Sequence, residues 1–337
     1  PMTATANEVT ISDFSPAEQI AVTNSRVDGL EARMNVMEAG GFSETTTASF
    51  SLDTVIGAVD GGDDSTEALT FDYQMNIGLS TSFTGEDSLD VTIDVGNSTS
   101  TSTTHAASIM GYQATGDAMN VDGITYTFPL GGATVLVGDT TDISSTFTGA
   151  CVYTAFTDAT PDDCGTGNSL GVAGNGVTAS IGYTFDSGFS LAGGVSSTET
   201  AIMTKEGTDS YGIEAAYTAD SYGVAVAYVS KDNAAAAETT YWGVNAFYAP
   251  ESEGLPSISV GVETEETSGI DESGYFVGLT WPEVGPGSVS LGLATQENYK
   301  DSETELLIYE ASYSYPINDG MTITPGVYIK EAAAGTD

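Results

Sequence analysis

From residue 43 onward the chain alternates apolar and polar positions with a period of two, as strands with one greasy and one wet face do. The stretch 69–79 puts Leu69, Phe71, Tyr73, Met75, Ile77 and Leu79 on one side, and Thr70, Asp72, Gln74, Asn76 and Gly78 on the other. The stretch 89–95 repeats the pattern with Asp90, Thr92 and Asp94 on the polar side. Fifteen such segments are predicted: 46–59, 66–83, 88–97, 123–130, 132–139, 175–186, 188–197, 209–219, 221–230, 238–249, 256–265, 273–282, 286–296, 303–316 and 320–331. Most are near the roughly 9–11 residues with which a tilted strand crosses a bilayer.

The connections sort by length. TGEDS (84–88), DSG (186–188), DS (220–221), PEVGP (282–286) and PINDG (316–320) are short. They alternate with 98–122, 140–174, 197–208 and 266–272, which read as long loops. Short turns at one end and long loops at the other mark bacterial outer-membrane barrels. The segments running toward the short turns end in Phe83, Phe128, Phe185, Tyr217, Tyr248, Trp281 and Tyr315, a ring of aromatics suited to a membrane interface.

Residues 16–39 follow a different period. Ile20, Val27 and Met34 recur every seven residues, as do Thr23, Leu30 and Met37, the a and d positions of a heptad. Arg26-Val27-Asp28-Gly29-Leu30-Glu31 is similar to a short pattern of trimeric coiled coils: Arg, apolar, two variable, apolar, Glu. The helix either trimerises through Ile20, Val27, Leu30, Met34 and Met37 or packs on its own protein. Gly29 weakens it by about 1 kcal/mol, and Gly40-Gly41 ends it. The expected organisation is an N-terminal segment, 1–41, with a periplasmic coiled-coil helix, then an all-β transmembrane antiparallel β-barrel over 42–337. Such barrels have even strand numbers, so about sixteen strands are expected, the last lying past Asp337. The start at Pro1 likewise implies a segment upstream.

In a membrane the apolar side must face lipid, and a ring this wide is not filled by its own side chains. Asp53, Asp72, Asp90, Asp94, Glu214, Glu263 and Glu310 are therefore expected to line a watery interior. Composition sharpens this. There are 48 acidic against 6 basic residues and a net charge of −42, which excludes nucleic acid as a partner because phosphates would be repelled. A hydrophobic fraction of 40% with 17 tyrosines argues against disorder. The basic residues are Arg26, Arg33, Lys205, Lys231, Lys300 and Lys330. Only Lys330 is expected on a polar face, near one rim, so the interior should favour cations.

Little else carries chemistry. His105 is the only histidine, so no Ser-His-Asp triad and no zinc site of usual ligand count can be drawn. No catalytic residue, cofactor or resident metal is expected. The runs Asp60-Gly61-Gly62-Asp63-Asp64 and Glu263–Glu266 either hold calcium weakly or are solvated acidic loops; neither has EF-hand spacing. Cys151 and Cys164 form a disulfide or remain two free thiols.

The segments RVDGLEARMNVMEAGGFSETT, FTGEDSLDVTIDVGN and GITYTFPLGGATVLVGDT resemble cyanobacterial outer-membrane porins, relatives of the carbohydrate-selective (OprB-type) porin family. The resemblance implies a homotrimeric passive diffusion channel for small hydrophilic solutes, surrounded by outer-membrane lipid. It also implies attachment to peptidoglycan or another cell-wall polymer through an upstream domain. By the same resemblance the third exposed loop, 140–174 with its two cysteines, folds into the barrel and narrows it. The family pattern has basic residues where this chain has Asp90 and Asp94, which removes the ground for inheriting a sugar or anion preference. Two other readings stay open: a barrel-anchored surface binding or structural protein of the envelope, and a secreted acidic β-protein such as a lectin.

Overall fold

The computed structural model describes residues 20, 23–24, 26–27, 46–60, 68–98, 106–158, 164, 176–205, 207–232, 238–252, 254–296, 299–300 and 304–332. The chain divides into two units, Pro1–Ala48 and Ser49–Asp337. In the first, residues 20, 23, 24, 26 and 27 are helical and exposed. Leu30, Met34 and Met37 of the expected coiled coil lie outside the described residues.

The second unit is one antiparallel sheet. Its strands are β1 (Thr46–Gly57), β2 (Thr70–Thr81), β3 (Ser88–Gly96), β4 (Asn120–Leu130), β5 (Ala133–Thr141), β6 (Gly176–Thr184), β7 (Phe189–Ser197), β8 (Asp209–Thr218), β9 (Tyr222–Asp232), β10 (Thr239–Tyr248), β11 (Ser257–Thr267), β12 (Ile270–Val284), β13 (Gly287–Thr295), β14 (Tyr299–Lys300), β15 (Leu307–Asn318), β16 (Met321–Ile323) and β17 (Gly326–Lys330). β1 pairs with β2, and from β2 to β13 each strand pairs with the next. β14 resumes the β13 pass against β12, and β17 resumes the β16 pass against β15. The second break falls at Thr324-Pro325, where proline lacks the N–H a ladder needs. Counted as passes, the fifteen expected segments are all strands.

One connection differs from expectation. The segment 266–272 is not a long loop. β11 runs to Thr267, β12 begins at Ile270, and the ladder continues through Glu266↔Asp271 and Glu265↔Glu272. Ser268 and Gly269 both have positive φ, 56° and 76°, as a two-residue hairpin turn requires. Its carboxylates made the stretch look like a loop. At the end of a hairpin, both faces can be polar.

The register carries one face through the sheet. Ala192, Glu214, Ala227, Gly243, Glu263 and Gly274 stand side by side across β7–β12. Farther along, Gly292, Glu310 and Tyr328 align across β13, β15 and β17. Burial on the two faces is inverted relative to a water-soluble sheet. Glu263 is 1% exposed, whereas Ile213 and Val262 on the opposite face are 64% and 51% exposed. The apolar face is bare over most of its strands, and the polar face is covered.

The bare face is edged by aromatics. Phe83, Tyr126 and Phe128 cluster at the short-turn end, as do Tyr183 with Phe185 and Phe189 with Tyr217 and Tyr222. The sequence also holds a second band. Tyr211, Trp242, Tyr275 and Tyr309 each precede by six residues Tyr217, Tyr248, Trp281 and Tyr315 of the first, about 20 Å along a strand. Even spacing keeps both bands on one face. At the short-turn end, Asp87 ties the turn after β2. Its carboxylate accepts from Tyr126 Oη, Ser82 Oγ, and the N–H and hydroxyl of Thr84. These bonds, led by that of Tyr126, hold its carboxyl well below the usual carboxylate range.

Candidate pore constriction

The covering of the polar face is a loop. After β5, Asp142 accepts from Ser144 N and caps a single 3-10 turn, Ile143–Thr146. Ile143 is fully buried with Ala227, Val229 and Tyr241 of β9 and β10, and Phe147 packs beside them. It fits because Gly212 of β8 has no side chain: a Cβ there would lie 2.5 Å from Ile143 Cδ1.

The loop then runs extended across successive strands, and alternate backbone N–H groups turn to the wall. Thr148 N donates to Glu214 of β8. Ala150 N donates to Asn245 Oδ1 of β10 at 3.0 Å. Val152 N donates to Ser259 Oγ of β11 at 3.1 Å. This two-residue period is that of a strand, but the acceptors are wall side chains instead of a neighbouring backbone. Tyr153 lies over Gly278 and Gly292 with its ring 5.1 Å from that of Phe276.

Glu310 of β15 receives the far end. Its Oε1 accepts from Tyr153 Oη at 2.6 Å and Phe156 N at 2.9 Å. Its Oε2 accepts from Thr157 N at 3.0 Å and Thr157 Oγ1 at 2.6 Å. Burial, and then the hydrogen bond to Glu310, push the Tyr153 phenol far above its ordinary value, so it remains a donor. Cys151 and Cys164 are joined in a disulfide with a Cα–Cα distance of 6.1 Å. Cys164 is buried against Phe276, Ala294 and Ile308.

A second loop, between β3 and β4, also lies over this face. Its 3-10 turn Ala106–Ile109 sits against β1, where a Cβ on Gly57 would meet Ala106 Cβ at 2.6 Å. Gln113 N donates to Gln74 Oε1 of β2 at 3.3 Å. The Tyr112 phenol is raised by burial and by the nearby Asp53 charge. The two loops meet where Asp158 N donates to Ile109 O at 2.7 Å.

All seven carboxylates read as lining residues fall on the covered face, but most are not wetted. Asp72, Asp94, Glu214, Glu263 and Glu310 are 1–7% exposed, and Glu214 and Glu310 are engaged by the third loop. Asp53 is exposed and accepts from Gln74 Nε2 at 3.2 Å. Asp90 is half-buried and accepts from Ser88 Oγ at 2.8 Å. The expectation that all seven line a watery interior is therefore corrected for Asp72, Asp94, Glu214, Glu263 and Glu310, which are covered. A ring this wide is not filled by wall side chains, but two loops lie over the polar face and cover residues there. Lys330 is joined on this face by two lysines the sequence reading did not place there. By register Lys231 follows Ser210, and Lys300 lies opposite Glu272, with Nζ 3.1 Å from its Oε1.

Also unanticipated was the apolar patch beneath the loop: Ala225, Ala227, Val229, Tyr241, Phe276 and Ile308. A signal existed. The segment YGVAVAYV of β9 is apolar on both sides, unlike 69–79, as expected for a strand buried on both faces. Among the described residues no group of three or more His, Cys, Asp or Glu is placed to hold a metal ion. His105 lies outside them.

No protein-family model matches the chain. An uncharacterized protein of Nostoc sp. is 33% identical over 157 residues, covering 40% of this chain and 27% of that protein's length. Solved structures align over far more. OprB of Pseudomonas putida superposes with a TM-score of 0.66 at 12% identity, covering 86% of this chain and 91% of that one. A loop-deletion mutant of OmpT, an outer membrane protein of Vibrio cholerae, gives 0.59 at 12% identity, over 87% and 96%. A mutant of Rh. blastica porin gives 0.54 at 12% identity, over 84% and 94%. Neighbour-to-neighbour antiparallel pairing, a bare apolar face and loops over the polar one are thus the features of a chain with the porin β-barrel fold.

Proposed function

We propose that the protein is an outer-membrane channel that passes ions and small hydrophilic solutes passively and prefers cations. The inverted burial carries the reading. A continuous apolar face between two aromatic bands is tolerable only against lipid, and barrel closure satisfies the backbone there. Its polar counterface then surrounds the route. The wetted carboxylates are few but unopposed nearby: Asp53, Asp90 and Asp122 on β1, β3 and β4, with Asp158 on the third loop. In a low-dielectric channel, fixed charge of one sign concentrates the opposite ion.

Reversal potentials across a planar bilayer in a KCl gradient test this. A cation-selective potential is expected, growing as salt is lowered, since at seawater-like salt the Debye length falls to roughly 4 Å. No preference at low salt, or a preference for chloride, defeats it. The helix of 16–39 makes the assembly a homotrimer in this reading; a monomer mass in detergent after crosslinking would remove that part. The meeting of two loops across the face favours a second reading, a barrel that anchors a surface binding or structural protein. Absence of single-channel current from inserted protein would select it.

A further inference from the structure

The two infolded loops share one support. Phe156 N and Thr157 N donate to the two oxygens of Glu310, and the next N–H in the chain, Asp158 N, donates to Ile109 O of the second loop. Three consecutive amides thus join the wall carboxylate to the third loop and the third loop to the second. Ile109 also packs on the cluster of Cys164, Phe276, Ala294 and Ile308. Gly111 makes the approach close: its φ is +63°, and a Cβ there would lie 2.2 Å from Asp158 Oδ2. The second loop also contacts β1–β3 at Gly57, Gln74 and Gly96. Among the described residues, the hydrogen bond that ties the second loop to the segment Glu310 holds is that of Asp158 N to Ile109 O, beside the packing of Ile109 on the wall cluster.

We propose that Glu310 is the positioning residue of the whole constriction, holding the third loop directly and the second loop through Asp158 and Ile109. The proposal rests on the channel reading above for its consequence, not for its geometry. Glu310 is 4% exposed and accepts four hydrogen bonds, two from backbone amides that no neighbouring strand serves. A carboxylate offers acceptors on both oxygens, whereas an amide offers them on one. Glu310→Gln therefore keeps half of the set and Glu310→Ala keeps none. Glu214 holds the near end of the loop by one bond from Thr148 N, so Glu214→Gln is the matched control.

Hydrogen exchange and single-channel current, measured together on these three variants and the unmodified protein in the same detergent and bilayer, decide it. In Glu310→Ala the amides of 107–112, none of which Glu310 touches, should exchange about tenfold faster or more. Conductance should rise at least about twofold with added open-channel noise. Glu310→Gln should fall between, and Glu214→Gln should leave 107–112 as in the unmodified protein. Faster exchange at 153–158 with native exchange at 107–112 would show the loops independent and overturn the proposal. Should Glu310→Ala fail to fold, judged by heat-dependent migration, Tyr153→Phe and Thr157→Val each remove one donor and leave the carboxylate. Neither change raising exchange at 107–112 would overturn it equally. If the unmodified protein carries no current yet the exchange pattern holds, the channel reading fails and the positioning role stands.

Discussion

The walls on the two sides of the third loop's origin are built differently. Along β6 and β8–β11 the burial pattern alternates buried and exposed, with most residues of one face covered. Along β2–β5 most residues of the same face are only half-buried. The covered wall is lined largely by Gly, Ala and Ser, with Glu214 and Glu263 among them and Glu310 beyond them on β15, and the other carries Asp90, Thr92, Thr125 and Thr127. Small residues let a loop approach, and isolated carboxylates catch its amides. Where these are absent the face stays wet. Glu214 and Glu310 are therefore structural acceptors for the loop, whereas the half-buried Asp90 on the open wall is available to ions.

Truncation should separate the walls most strongly. Phe276→Ala removes a fully buried ring on which Tyr153 and Cys164 rest, and a loss of about 3–5 kcal/mol is expected in denaturant unfolding from detergent. Val277→Ala, one residue away on the bare face, should cost a small fraction of that. A similar loss for both would mean that the loop contributes little packing. Replacing Cys151 and Cys164 by serine opens a link between residues 13 apart and should lower stability by about 3 kcal/mol on the chain-entropy model. Reductant should then cease to affect thermal unfolding.

Glycine substitutions sharpen the comparison. Gly212→Ala would place a Cβ 2.5 Å from Ile143 and 3.2 Å from Phe147, with an overpacking cost of about 1–3 kcal/mol. Gly78→Ala on the open wall meets only the Ser49 hydroxyl at 2.6 Å, which can rotate away, so its effect on unfolding should be slight. Selectivity should show the reverse order. Neutralising Asp53 and Asp90 together should weaken cation preference in reversal potentials, whereas Glu214→Gln should leave it in place. Equal effects would erase the distinction between holding and wetted carboxylates. The smallest effect is expected at Asp87, outside both walls. Its folded pKa is depressed, so its contribution is present above the unfolded value of about 3.9 and lost as pH falls toward the folded value. Asp87→Asn should flatten that acid dependence of barrel unfolding.

Much of this was legible beforehand. Alternation located the strands because side-chain direction in a strand depends only on neighbouring residues. The same parity put Asp72, Glu214 and Glu310 on one face. The turn at Ser268-Gly269 is hidden in the sequence because Glu265, Glu266, Asp271 and Glu272 beside it leave no apolar alternation to mark the strand ends. The second aromatic band is present in the six-residue spacing of Trp242 and Tyr248, with Trp242 inside the strand and not at its end.

Period, parity and turn chemistry were properties of the sequence by itself, each set within a few residues. Whether the polar face is wet was decided by the tertiary structure. Thr148 finds Glu214 across 66 residues, and Thr157 finds Glu310 across 153. Those partners are brought together only once the sheet has formed. A local pattern can put a carboxylate on the inner face, but what covers it depends on where a distant loop comes to rest.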